Sequence, residues 1–167
     1  IGLSRGVFTN EAGLGSAPIA HAASDCKSPA HQGSWGIFEV FLDTIVICTI
    51  TALVILISGG GTLWKSGLDG SALTSAAYAD RFGLLGSGFI AVSLFLFAIP
   101  AMLGWYYYGE SALKYLAPQR MKIVRAYQLL FVAGVLVGAV VELSFVWKVS
   151  DYLNVLMALP NILSLYI

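Results

Sequence analysis

The chain has 167 residues, of which 58% are hydrophobic and 11% charged, with nine basic and nine acidic side chains in balance. A water-soluble domain of this size needs more polar surface, so the composition points to a membrane protein. A formal charge of zero removes any case for a basic nucleic-acid face.

The first connection, residues 1–36, opens with "RGVFTNEAGLGSAPIAHAA" at 5–23, where Arg5, Asn10, Glu11 and His21 crowd among glycines and small residues. Its glycines permit turns with positive φ and close packing of backbone. It is not a phosphate loop, since no Gly-Lys-Ser/Thr follows and no strand precedes it. His21, Cys26 and His31 invite a zinc reading, but their spacing matches no standard ligand pattern and a fourth ligand is missing. Polar loop residues that satisfy backbone groups are the plainer reading. No disulfide is expected, because Cys48 falls mid-helix in a predicted span and Cys26 in the loop before it.

Four apolar runs follow, at 37–57, 84–108, 126–147 and 152–167. At about 1.5 Å per residue, some 20 helical residues match a hydrocarbon core of roughly 30 Å. The runs lack strict alternation, so they read as helices and not barrel strands. The predicted class is an all-α, polytopic membrane protein. A chain that starts at Ile1 and stops inside an apolar run reads as an interior fragment of a longer one, and no signal peptide is expected in such a fragment.

In the first span, Glu39 and Asp43 stand four residues apart, on one face of an α-helix, where like charges repel. Acids inside a span are functional candidates by default; the alternative is that Glu39 reaches the interface and Asp43 bonds to a neighbouring segment. The connection 58–83 is glycine-rich at "SGGGTLWKSG", and its "GSALTSAAYADRFG" predicts a short helix. In the second span Pro100 deletes a donor and pushes away the carbonyl of Leu96. A freed carbonyl is a cation ligand in broken transporter helices, or Pro100 is a plain packing kink. Ser87 between two glycines has no histidine in any span to serve as its base, and two acids on one helix do not make an aspartyl dyad. Enzyme chemistry is therefore not expected.

The connection 109–125 starts as a helical extension that stops before Pro118 and then turns basic. Glu142 falls within the third predicted span, as a partner for Lys148 or a neighbouring helix. The last run carries Pro160 and Asn161, whose amide seeks an interhelical hydrogen bond or a ligand. Arg5, Lys27, Lys114, Arg120, Lys122 and Arg125 outnumber Lys65, Arg81 and Lys148, which puts the first and third connections in the cytoplasm. Trp35, Trp105, Tyr106, Tyr107, Tyr108 and Trp147 lie near span ends, as interfacial anchors do.

The stretches "SRGVFTNEAGLGSAPIAHAA" and "QGSWGIFEVFLDTIVICTITALVIL", followed by "LFLFAIPAMLGWYYYGE" and "LNVLMALPNILSLYI", closely resemble the sodium:alanine symporter family, over nearly all of the chain and in order. The resemblance implies a leucine-transporter-like core of two inverted five-helix repeats in the cell membrane, carrying alanine or glycine inward with sodium or sometimes a proton. No cofactor beyond the coupling ion is implied. On that map the spans are the seventh, eighth, ninth and part of the tenth helices, and the opening stretch is the cytoplasmic link near the inner gate. The broken first and sixth helices, which hold most of the amino-acid site, belong to a missing N-terminal half.

Family members commonly show "FSTILGWSYYGE" where this chain reads "IPAMLGWYYYGE", so Pro100 and Ala101 replace a Ser-Thr pair and Tyr106 replaces a serine. The hydroxyls that this helix normally offers to sodium are absent at Pro100 and Ala101. The expected substitutes are the backbone carbonyls of Leu96 and Phe97. With protons as the coupling ion, Glu39 or Asp43 would titrate, and Asn161, Glu39 and Asp43 are the substrate or gating candidates. A transport-inactive membrane scaffold or sensor is the alternative from another class, and a channel is disfavoured because the spans have few polar residues to line a pore.

Overall fold

The computed structural model describes residues 2–11 and 13–166, apart from the side chains of residues 3–5 and 7, so Arg5, counted above for sidedness, lies outside the described side chains. The described residues form helices and no strand: α1 (Gly2–Asn10), α2 (Ala17–His21), α3 (Pro29–Val40), a π-helical segment (Phe41–Ile47), α4 (Cys48–Ile57), α5 (Gly70–Phe82), α6 (Leu84–Leu116), α7 (Met121–Gly138) and α8 (Leu143–Leu165). The all-helical class holds. Three helices among the described residues, Pro29–Ile57, Leu84–Leu116 and Met121–Gly138, are long and apolar enough to cross a membrane. The chain divides into two compact units, Gly33–Met102 and Ile1–Gln32 with Leu103–Ile167.

Helix boundaries follow local chemistry. The first membrane-length helix begins at Pro29, upstream of the apolar run, because the Ser28 hydroxyl accepts from the His31 amide at 3.2 Å and Pro29 needs no partner for the N–H it lacks. α5 starts at Asp69, whose carboxylate accepts from the Gly70 amide at 2.7 Å, and stops at Gly83, which takes φ +57. α6 runs through Pro100 to Leu116, two residues before Pro118. At about 1.5 Å per residue it is roughly 50 Å long, well beyond a hydrocarbon core, and its last turns carry the Glu110–Lys114 ion pair at 3.0 Å.

The third predicted span differs. The helix expected over 126–147 ends at Gly138, and a new one starts at Leu143. Residues 148–151, which separate the third and fourth apolar runs in the sequence, lie inside α8. Glu142 is the hinge: its backbone is extended, and its carbonyl accepts from Phe145 at 3.0 Å. Its carboxylate belongs at the positive end of α8, which favours a break there over burial mid-span.

In the Gly33–Met102 unit, α4 turns into α5 through a locked corner. The Ser58 hydroxyl is fully buried, 2.7 Å from the Val54 carbonyl and 3.0 Å from that of Ala77. The Gly59 amide donates to Asp80 at 2.9 Å, and Arg81 donates to the Ile57 carbonyl at 3.2 Å. Gly59, Gly60 and Gly61 all have positive φ, at +59, +65 and +83, a left-handed run that side chains would oppose. Gly86 then lets α6 meet α5 closely: a Cβ there would lie 2.6 Å from the Tyr78 carbonyl carbon.

Candidate functional site

In the other unit, the polar stretch between α1 and α2 is a tight loop built on three positive φ values, at Glu11 (+52), Gly13 (+76) and Gly15 (+79). Glycine takes such angles without strain; a glutamate takes them only when held. The hold is local. The Ser16 hydroxyl donates to the Glu11 carboxylate at 2.6 Å, and the Glu11 amide donates to the Phe8 carbonyl at 3.2 Å. Leu14 and Ser16 are buried beneath the loop. Ala12, inside the same motif, lies outside the described residues.

Asn161 of α8 fastens this loop. Its side-chain amide donates to the Gly13 carbonyl at 3.0 Å, across a separation of 148 residues. A Cβ on Gly15 would sit 2.8 Å from the Asn161 side-chain oxygen, so glycine is required there by contact as well as by φ. Trp147 of α8 meets Phe8 of α1 edge-on, with centroids 5.6 Å apart. The Asn161 hydrogen bond and the close approach at Gly15 thus both pin the loop to α8.

Beside it, α6 and α7 are clamped by aromatic rings. The Tyr127 hydroxyl donates to the Tyr106 carbonyl at 3.1 Å, with the Trp105 carbonyl 3.4 Å away. Gly109 makes this reach possible: a Cβ there would lie 2.5 Å from Tyr127 Cζ. Gln128 donates to the Tyr106 hydroxyl at 2.8 Å, and Tyr106 stacks on Tyr127 and meets Phe131 edge-on. Tyr106, expected as an interfacial anchor, is engaged with α7, where a serine could not span the gap. Between the loop and this clamp is a cavity of about 410 Å³, walled by Leu14, Ile19, Trp105, Tyr108, Phe131 and Met157 among others. No charged side chain lines it among the described residues, so it suits apolar groups and not the charged end of an amino acid.

The remaining predicted site residues belong to the Gly33–Met102 unit. Glu39, in α3, is exposed; Asp43 is half-buried within the π-helical segment. The two acids are four residues apart, and the helix changes from α to π between them. Pro100 and Ala101 lie inside α6, and Pro100 supplies no N–H to the Leu96 carbonyl. The side chains of Leu96 and Phe97 are 61% and 67% exposed. Phe97 also edges a second cavity of about 540 Å³ between α4, α5 and α6, whose walls include the hydroxyls of Thr51, Thr74 and Ser93.

Other sequence-stretch candidates have simpler partners. His21 is paired with the Gln32 amide at 2.7 Å, and Cys26 and Cys48 are both free thiols. Ser87 bonds to the Leu84 carbonyl at 3.0 Å in the first turn of α6. Sequence reading misses the Gly109, Tyr127 and Gln128 clamp. The one available signal is a glycine inside an aromatic run, which marks close approach, but nothing in the sequence names the approaching ring.

The chain is similar to known proteins throughout. A family model described as the sodium:alanine symporter family matches residues 1–167. The sodium/alanine symporter AgcS of Methanococcus maripaludis is 43% identical over 165 residues, covering 98% of this chain and 36% of that protein. An uncharacterized transporter of Haemophilus influenzae is 40% identical over 166 residues, covering 98% and 35%. The probable sodium/glutamine symporter GlnT of Bacillus subtilis is 38% identical over 166 residues, covering 99% and 34%. The chain spans about a third of the length of these curated relatives. No solved structure matches it. The family and these relatives are transporters rather than enzymes.

Proposed function

We propose that this chain, which belongs to the sodium:alanine symporter family, is part of a secondary carrier that brings alanine or glycine into the cell together with sodium. The family match over residues 1–167 carries the reading. The names of two relatives, a sodium/alanine and a probable sodium/glutamine symporter, support an amino-acid substrate and sodium as the coupling ion. The four predicted spans are read as the seventh to tenth helices of an inverted-repeat core in the cell membrane. The two thirds of the relatives outside the match would supply the broken helices that hold most of the substrate site.

The mechanism needs no covalent step. Substrate and ion occupy a site between helix repeats, and rocking of the repeats opens it to one side and then the other. Coupling is a difference in affinity, because the ion favours the arrangement that binds substrate. On this reading, the loop at Glu11–Ser16 is part of the inner gate. One of its fastenings to α8 is an amide hydrogen bond from Asn161 to Gly13, a contact that can be made and broken in each cycle. The cation ligand offered by α6 is main-chain oxygen at Leu96, freed by Pro100, or at Phe97.

Uptake of labelled alanine by the full-length carrier in sealed vesicles tests this, with a sodium gradient, a proton gradient or neither. Saturable uptake driven by sodium is expected. Absence of saturable uptake under all three conditions refutes the carrier reading and leaves a membrane scaffold. For the ion site, Pro100→Ser with Ala101→Thr restores hydroxyls to α6 and should strengthen sodium stimulation; an unchanged sodium dependence removes the site from α6.

A further inference from the structure

The helix Pro29–Ile57 contains no proline or glycine between Ile37 and Ile57, yet it does not stay α-helical. Over Phe41–Ile47 it widens into a π turn, with the Cys48 amide donating to the Asp43 carbonyl five residues back. Such turns are rare, occur singly inside α-helices, and concentrate at functional sites. No breaker residue forces this one. What the sequence supplies is a run of β-branched residues, Thr44, Ile45, Val46 and Ile47, which lowers the preference for the narrower α turn. It also supplies Asp43, a half-buried carboxylate on the widened turn itself.

We propose that Phe41–Ile47 is a register switch in this span, holding one residue in its wide turn and releasing it to turn the helix beyond. This inference rests on the carrier reading above. A π turn closes five residues on and an α turn four. Releasing the stored residue therefore lengthens the helix by about 1.5 Å and rotates one side against the other by about 100°. The space for that rotation adjoins the segment: the cavity of about 540 Å³ begins at Ile47, Ile50 and Thr51, at the end of the π turn and the start of α4. The Thr51 hydroxyl donates to the Ile47 carbonyl at 2.9 Å, tying the first turn of α4 to the segment so that they move together. Asp43 changes its surroundings when the register changes, so it is a positioning residue for the cycle: a cation that prefers the carboxylate in one register shifts the population toward it.

Deleting Val46 from the full-length carrier removes the stored residue and leaves both flanks in phase; deleting Ile55 from regular α4 puts its flanks out of phase. The Val46 deletion should purify as a monodisperse protein and bind labelled alanine saturably, while uptake falls about tenfold or more. The Ile55 deletion should lose folding and binding together. Spin labels at Ile37 and Leu56, with Cys26 and Cys48 replaced, should show two distances in the parent, their proportions changed by sodium with alanine, and one fixed distance in the Val46 deletion. Parental uptake by the Val46 deletion overturns the proposal. So does misfolding equal to that of the Ile55 deletion, or a single unchanging distance in an actively transporting parent. A parent that transports under no condition refutes the carrier reading instead, while the label pair still reports on the register.

Discussion

Replacing Gly109 by alanine places a methyl carbon where Tyr127 now stands. The new Cβ would lie 2.5 Å from Tyr127 Cζ and 2.9 Å from Cε2, with the hydroxyl closer still. The ring has to leave the face of α6. Overfilling a packed contact costs about 1–3 kcal/mol. The lost interhelical hydrogen bond to the Tyr106 carbonyl adds about 0.6 kcal/mol, and loss of the ring contacts with Tyr106 about 0.5–1.5 kcal/mol. Alanine returns about 1 kcal/mol through its better helix propensity, leaving a net destabilisation of about 1–4 kcal/mol. Thermal unfolding of the purified full-length carrier in detergent, followed by tryptophan fluorescence, reads the effect. The Tyr127→Ala background separates steric from intrinsic causes: there Gly109→Ala should be neutral or stabilising, giving a coupling of about 1–5 kcal/mol. A Gly109→Ala carrier more stable than its parent with Tyr127 intact would refute the clamp.

The other predictions concern single contacts. Asn161→Ala should raise the opening rate of the Gly13 loop, read as faster hydrogen exchange at residues 13–16, and lower stability by about 1 kcal/mol; unchanged exchange would show that the amide does not pin the loop. Gly15→Ala meets both the Asn161 side chain and a φ of +79, so adding Asn161→Ala should recover only part of its loss, the backbone share of about 1–2 kcal/mol remaining. Gly60→Ala has open space around it but a φ of +65, and should lose about 1–2 kcal/mol from backbone strain alone. Ser58→Ala should lose about 1 kcal/mol in thermal unfolding, and no loss would mean that neither carbonyl depends on that hydroxyl.

Helix and membrane character are legible from run length and missing alternation, because both depend on composition over some 20 residues. The end of α6 at Leu116 is legible from Pro118, and α5 from its flanking Asp69 and Gly83. The break at 139–142 is hidden because the residues on both sides are equally apolar, and hydropathy cannot register a turn only a few residues long. Only Glu142 marks it, as a charge that a helix terminus accommodates better than a span. The π turn leaves only a weak signal, the β-branched run Thr44–Ile47, since Phe41–Ile47 otherwise reads as an ordinary apolar helix. Asn161 is conspicuous as an amide beside a proline in an apolar run, and its partner is a loop carbonyl, not a second helix. The Tyr106 contact with Tyr127 and Gln128 joins residues on separate helices, and no local pattern encodes it.

The corner where Ser58, Asp80 and Arg81 join the end of α4 to α5 has a mechanical consequence. Three bonds converge within one turn of each helix, so torque applied to α4 cannot dissipate in the glycine turn beyond it. α5 becomes a lever arm whose tip magnifies a small twist, and a fluorophore near its far end, at Gly70, would register rotation of α4.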